Sequence, residues 1–224
     1  MCGRFAQYSG LDSLKKSFQL DEITCDVTPC YNIAPLQPIL AVIRHDGNRL
    51  GQIHWGLVPS WAKDKSMAVK LINARAETVA DKPSFRSAFK LHRCLILADG
   101  FYEWKADGSH KQPWYFTLST EGPFAFAGLW DTWKGEKDAA YHSCAIITTA
   151  ADESVQPVHH RMPVILTPEA HPEWLDPHNQ ESARLSAILS EGRVRGLKCF
   201  PVSKRVNSTR NNDPACIEPL KSEG

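Results

Sequence analysis

Cys2 is the residue with the greatest reactive potential in this chain. An initiator Met is removed when the next residue is small, and the mature chain would then begin with a 1,2-aminothiol. Its α-amine has an ordinary pKa of about 7.7–8.0, so an appreciable fraction is neutral and nucleophilic near pH 7. Its thiol is the strongest side-chain nucleophile available. An aldehyde that meets both groups forms an imine and then closes to a five-membered thiazolidine. That closure is intramolecular and has a large effective concentration. The alternative is a chance cysteine at position 2.

Three further segments carry groups suited to proton transfer or anion binding. Asp99-Gly100-Phe101-Tyr102-Glu103-Trp104 follows a short apolar run and places carboxylates beside aromatics, a setting for acid–base work. The alternative is a surface carboxylate in a turn. His159-His160-Arg161-Met162-Pro163 offers imidazoles that titrate near neutral pH, or loop histidines without a role. Asn73 and Arg75 stand two residues apart, so on extended backbone they share a side. Asn32-Ile33-Ala34-Pro35 and Trp55-Gly56-Leu57-Val58-Pro59-Ser60-Trp61 supply prolines and indoles that can stack on bases, or simply pack.

The elements that must position these groups read as short strands and few helices. Ser9–Leu20 predicts a helix, with Ser9 as its N-cap, Asp12 at the capping-box position, and Leu11, Leu14 and Phe18 on one face. Ile39–Arg44 and Leu50–Trp55 read as a hairpin across Asp46-Gly47. Ala80–Leu91 reads as a short helix and Cys94–Ala98 as a buried strand. Trp114–Leu118 and Phe124–Trp130 read as a second hairpin across Glu121-Gly122. Ser143–Thr149, Val164–Thr167 and Lys198–Val202 read as strands. Pro168–Leu175 and Glu181–Leu189 read as helices, the second closed by Gly192 near its C′ position. The pattern predicts an α+β class: one domain over residues 1–224 with a mixed, mostly antiparallel sheet or partly closed barrel and peripheral helices.

Composition bounds the rest. The chain has 224 residues, 42% hydrophobic and 23% charged, which excludes a disordered chain. No stretch nears the roughly 18 apolar residues of a membrane span, and Met1-Cys2-Gly3-Arg4 opens no signal peptide, so a cytoplasmic protein is expected. Seven cysteines preclude a complete disulfide set, and the Cys25–Cys30 spacing lacks the second close pair of a zinc site. The net charge of +1 hides two basic segments. Residues 63–93 hold eight Lys or Arg against three acids, and residues 192–212 hold six against none. They form either one positive face for phosphates or two solvated loops.

The segments occur in a fixed order: Met-Cys-Gly-Arg-Phe, Tyr31-Asn32-Ile33-Ala34-Pro35, Trp55-Gly56-Leu57-Val58-Pro59, Ile72-Asn73-Ala74-Arg75-Ala76-Glu77-Thr78, Asp99 to Lys105, His159 to Pro163, and Pro201-Val202-Ser203 with Val206-Asn207. The order closely resembles the SRAP family of SOS-response-associated peptidases, or abasic-site processing proteins, from Cys2 to about Asn207, with 208–224 as a tail. The resemblance implies recognition of abasic sites in single-stranded DNA and a thiazolidine link through Cys2 after loss of Met1 by self-cleavage, with a weak lyase activity from the same imine. It implies that Asn73 and Glu103 assist imine formation and ring closure and that His159 promotes sugar opening. It also implies that Arg4, Arg75 and Arg161 bind phosphate and that Pro35 and Trp104 pack on bases. His160 departs from the acidic or amide residue that relatives carry. No cofactor, metal or membrane is implied, and a monomer is expected. A cysteine peptidase acting on other proteins through Cys2 and His159, or a plain single-strand DNA-binding module, are the competing readings.

Overall fold

The computed structural model describes residues 2–108, 110–135 and 139–220. In chain order it contains β1 (Phe5–Gln7), α1 (Leu11–Phe18), β2 (Glu22–Ile23), β3 (Cys30–Ile33), β4 (Pro38–Arg44), β5 (Asn48–Trp55), β6 (Asn73–Arg75) and α2 (Arg86–Leu91). There follow β7 (Arg93–Ala98), β8 (Gly100–Asp107), β9 (His110–Thr117), β10 (Phe124–Trp133), β11 (Tyr141–Ala150), β12 (Arg161–Pro163) and β13 (Ile165–Leu166). The last elements are α3 (His171–Leu175), α4 (Ser182–Glu191) and β14 (Lys198–Pro201).

These strands pair into two sheets, and the central strands of the larger one are buried on both faces. The larger runs β12-β11-β10-β7-β4-β5-β2, and a parallel pairing of β5 with β11 (His54 opposite Ser143, Trp55 opposite Cys144) brings its ends together. The five strands β11, β10, β7, β4 and β5 therefore form a partly closed barrel, as the α+β expectation allows. One face of these strands contributes Leu40, Val42, Leu95, Leu97, Ala127 and Ile147 to a core shared with α1 through α4. Helices can cover only the outside of a closed sheet, so the alternate residues, among them Ala41, Ile96, Phe126 and Ile146, point inward. The smaller sheet, ordered β14-β9-β8-β1-β3, packs Phe5, Ile33, Phe101 and Phe116 into that inner core. Its other face carries Ala6, Tyr102 and Tyr115 under Val202, Val206 and Cys216 of the C-terminal segment.

Several sequence expectations are corrected. Residues 114–118 and 124–130 do not form a hairpin: β9 pairs with β8 and β14 in the smaller sheet, whereas β10 pairs with β7, β11 and β13 in the larger. Glu121-Gly122 is a turn, with Gly122 at φ 123°, but it carries the chain from one sheet to the other. The true partner of β9 is β8, through Asp107-Gly108 with Gly108 at φ 56°. At α1 the N-cap is Gly10, without a side-chain cap. Ser9 instead donates its N–H (2.8 Å) and its hydroxyl to the Asp99 carboxylate, which also accepts from the Tyr8 N–H at 2.5 Å. Asp99 is therefore a buried clamp on the turn after β1, not an acid–base group. Only Arg86–Leu91 of the predicted 80–91 helix is helical, and Gly192 caps α4 at φ −84°. A Cβ on Gly192 would meet Ala170 at 2.8 Å, so close packing, not left-handed backbone, calls for glycine there.

Candidate active site

The start of the chain enters the inner core immediately. Cys2 is fully buried beside Phe5 and Trp55. β1 lies antiparallel to β8, with Phe5 opposite Phe101 and the Tyr102 N–H donating to the Arg4 carbonyl at 2.9 Å. Continuing that register sets Glu103 alongside the residues that precede β1. Alternation along β8 sends Phe101 and Glu103 inward and Tyr102 and Trp104 outward. Glu103 is 4% exposed, and burial pushes its carboxyl up to about 7. The Cys2 thiol is raised well above the ordinary cysteine range, first by burial and then by the negative charge of Glu103.

β6 is a three-residue strand that lies parallel to β11, with Asn73 opposite Ile146 and Arg75 opposite Thr148. This extended backbone puts Asn73 at the chain start, where its Nδ2 donates to the Cys2 carbonyl at 2.8 Å. Its Oδ1 is buried and accepts no hydrogen bond among the described residues. Arg75 is exposed.

His159 arrives from a different direction. The turn after β11 ends with the His159 N–H donating to the Val155 carbonyl at 3.0 Å, and β12 begins two residues later. The Arg161 N–H donates to His159 Nδ1 at 3.0 Å, which makes Nδ1 the acceptor of the neutral ring. The Arg161 carbonyl, also at 3.0 Å, stands ready to accept if that nitrogen is protonated. Nδ1 lies 3.9 Å from Glu103 Oε1. Burial lowers the imidazole pKa against the opposing effect of the Arg161 backbone. His160 stacks on His159 at 4.4 Å between centroids and remains exposed.

Cys2, Asn73, Glu103 and His159 thus converge from the chain start, β6, β8 and the approach to β12. The remaining expected residues sit differently. Arg161 donates to both carboxylate oxygens of Glu77 (2.6 and 3.0 Å) and to the Thr148 carbonyl at 2.7 Å. Arg4 donates to Asn32 Oδ1 (2.8 Å) and to the Val206 carbonyl (2.7 Å), and its guanidinium lies 5.8 Å from the Trp104 ring. The Trp104 indole donates to Asn207 Oδ1 at 2.8 Å. Pro35 is half-buried in the loop after β3. Both Arg4 and Arg161, expected from the resemblance to bind phosphate, therefore have protein partners in this structure. Glu77 and Thr148 were missed as partners of Arg161, although Glu77 lies inside the Asn73–Thr78 motif. In the first basic segment Arg93 is not an available charge either: it is buried and donates to the carbonyls of Phe89, Lys90, Trp174, Asp176 and Asn179. Among the described residues no cluster of His, Cys, Asp and Glu is suited to a metal, and no helix is long and apolar enough to cross a membrane.

A model of the SOS response associated peptidase (SRAP) family matches residues 1–209. The chain belongs to the SRAP family. It is 44% identical over 223 residues to the abasic site processing protein YoqW of Bacillus subtilis (strain 168), a match covering 97% of this chain and 99% of that protein. It is 33% identical over 230 residues to the abasic site processing protein YedK of Escherichia coli (strain K12), covering 98% and 100%. The chicken (Gallus gallus) abasic site processing protein HMCES is 34% identical over 226 residues, covering 86% and 67%. Among solved structures, a phage-related protein of Bordetella bronchiseptica has a TM-score of 0.73 at 32% identity, covering 91% of this chain and 95% of its own. A Bacteroides thetaiotaomicron protein shares the fold with a TM-score of 0.83 at 24% identity, covering 98% and 100%.

Proposed function

We propose that this SRAP chain processes abasic sites in single-stranded DNA, as part of a DNA-damage response, by covalent capture through Cys2 once Met1 has been removed. Met1 lies outside the described residues. The amine adds to the aldehyde of the opened deoxyribose to give a carbinolamine. Loss of water gives an imine, and the thiol adds to the imine carbon while its proton passes to nitrogen. One water leaves in total, and a thiazolidine remains. The imine that escapes ring closure supports a weak strand-cleaving lyase activity, and loss of Met1 is the peptidase step.

The observation that carries this reading is the buried Glu103 carboxyl, brought to about 7 beside the chain start and 3.9 Å from His159. Near neutral pH such a group is present in both protonation states, so it can protonate the leaving hydroxyl of the carbinolamine and later accept the proton back. The imidazole serves the preceding step, opening the ring-closed sugar. Asn73 holds the Cys2 carbonyl and so orients the amine. The peptidase alternative, in which Cys2 attacks a peptide of another protein, needs neither DNA nor a free α-amine, so covalent capture of abasic DNA separates the two readings. The exposed Arg75 is our choice for phosphate contact, with Arg4 and Arg161 framing the site, and Pro35 and Trp104 at its edge.

The test is a denaturing gel after incubation with a single-stranded oligonucleotide that carries one abasic site. Wild-type protein should give a heat-stable band, and Cys2→Ala should abolish it while non-covalent binding persists. Cys2→Ser keeps the amine, so its band should require borohydride. A heat-stable band of unchanged yield from Cys2→Ala overturns the thiazolidine route.

A further inference from the structure

Trp114 stands directly opposite Glu103 across the β8–β9 pair, and Lys105 stands opposite Gln112 two positions along. Opposed residues share one face of a sheet, with Cβ atoms about 4.5–5.5 Å apart. The indole is therefore the inward neighbour of the carboxyl on which the capture chemistry turns, yet none of the steps above uses it. It is half-buried and packs against the inner core that contains Cys2, Phe101 and Val155. On its other side, the register of β9 with β14 sets Pro201 opposite it. Its Nε1 is closed off from solvent and donates to no acceptor among the described residues. What the neighbours of Trp114 meet is thus the bulk and the faces of the ring, not its N–H.

Alternation along β8 puts Lys105 on the same face as Glu103, about 7 Å further along the strand. A lysine's flexible four-carbon stem is long enough to turn back to a carboxylate at that spacing. Here it does something else. Lys105 is exposed, and its Nζ lies 5.8 Å from the centroid of the Trp114 ring, where the π-face attracts a cation. The indole thus gives the ammonium a partner in solvent, while Glu103 on the indole's other flank is 4% exposed. The titratable groups that face Glu103 from the remaining elements are Cys2 at the chain start and His159 at 3.9 Å. Asn73 of β6 and Pro201 of β14 are neutral, and Arg4 turns to Asn32 and Val206 instead. Lys105 is therefore the nearby strand cation that the fold has to keep off this carboxyl.

We propose that Trp114 is a positioning residue for Glu103: its ring shuts water and the Lys105 ammonium away from the carboxyl, so that the carboxyl can give and take a proton beside Cys2. The inference rests on the part given to Glu103 in abasic-site capture, but the partition belongs to the protein without DNA and is read there first.

The experiment labels the glutamate side chains of the full-length protein with ¹³C and follows the Glu103 carboxyl by NMR as pH is varied, its signal assigned with Glu103→Gln. Wild-type protein should titrate at about 7. Trp114→Phe keeps a ring in place and should keep that titration. Trp114→Leu and Trp114→Ala admit water and the lysine, and should move it down by about one unit or more. Adding Lys105→Gln to Trp114→Ala should recover part of the fall, whereas Lys105→Gln alone should change nothing. The pH profile of cross-linking to an abasic oligonucleotide should shift with the carboxyl in each case. An unmoved titration in Trp114→Leu and Trp114→Ala overturns the proposal, and Trp114→Leu decides the matter if Trp114→Ala fails to fold. A fall in Trp114→Phe as large as in Trp114→Ala also overturns it, because the N–H and not the ring would then be what acts. So does a rise for Lys105→Gln alone, or no recovery in the double variant, since either means that the ring is not what separates lysine and carboxyl. If the titrations move as expected but wild-type protein gives no heat-stable band, the partition stands and the abasic-site reading fails.

Discussion

Glu103 shows how one backbone position sets a side chain's chemistry. The same carboxylate on the outward face of β8, where Trp104 sits, would be ordinary; on the inward face burial brings it to about 7. The sign of the linkage follows. The unfolded chain ionises this group near its usual value of 4.5, while the folded chain holds on to the proton up to about 7. The neutral carboxyl's contribution is therefore fully present below pH 4.5 and is lost as pH rises through 7. Glu103→Gln should stabilise the protein on the order of 2–3 kcal/mol at pH 8 and change little at pH 4.5. Thermal melts of both proteins across that range check it. The same substitution should slow cross-linking by about 10²-fold or more and flatten its pH profile near 7. Equal pH profiles for the two proteins would remove Glu103 from the proton-transfer step.

At the scale of elements, the site depends on short strands that cannot hold themselves. β6 has three residues and β12 has three, yet they carry Asn73 and lead in His159. Both are edge additions to β11, and the Glu77–Arg161 ion pair ties the segment after β6 to β12. Glu77 is half exposed, so the pair adds only about 0.2–1 kcal/mol to stability. Its larger effect is on charge: Glu77 occupies both terminal nitrogens of Arg161, the residue proposed to frame the DNA site. Glu77→Gln should therefore raise affinity for undamaged single-stranded DNA severalfold at low salt, with the melting temperature nearly unchanged. Arg161→Gln should lower affinity or leave it as it is. Anisotropy titrations at two salt concentrations measure both. A fall in affinity for Glu77→Gln would mean that the ion pair positions β12 rather than masking a phosphate site.

For the whole molecule, the C-terminal segment completes the smaller sheet's outer face. Asn32, 1% exposed, donates to the carbonyls of Val206 (3.2 Å), Ser208 (3.0 Å) and Asn211 (2.7 Å), and Arg4 donates to Val206 as well. Asn32→Ala leaves those acceptors short of donors in a buried place and should cost about 2–3 kcal/mol. Amide exchange in residues 203–216 should accelerate ahead of the barrel strands, and hydrogen-exchange mass spectrometry reads this directly. Local patterning was enough to read several parts of this architecture. The Asp46-Gly47 hairpin, the buried strand at 94–98 and the α+β class follow from periodicity and turn chemistry, which act within a few residues. The ordered motifs named the family and singled out Cys2, Asn73, Glu103 and His159. Other features depended on pairing between distant segments. Strand β9 joined β8 rather than β10 because a turn at Gly122 sends the chain to another sheet, and sequence spacing does not encode which sheet a strand enters. Arg93, Arg4 and Arg161 read as positive charge in the sequence, but their carbonyl, amide and carboxylate partners lie as many as 202 residues away. A charge is a property of a residue, whereas its availability is a property of the packing around it. Only the tertiary structure decided which of these guanidiniums face solvent.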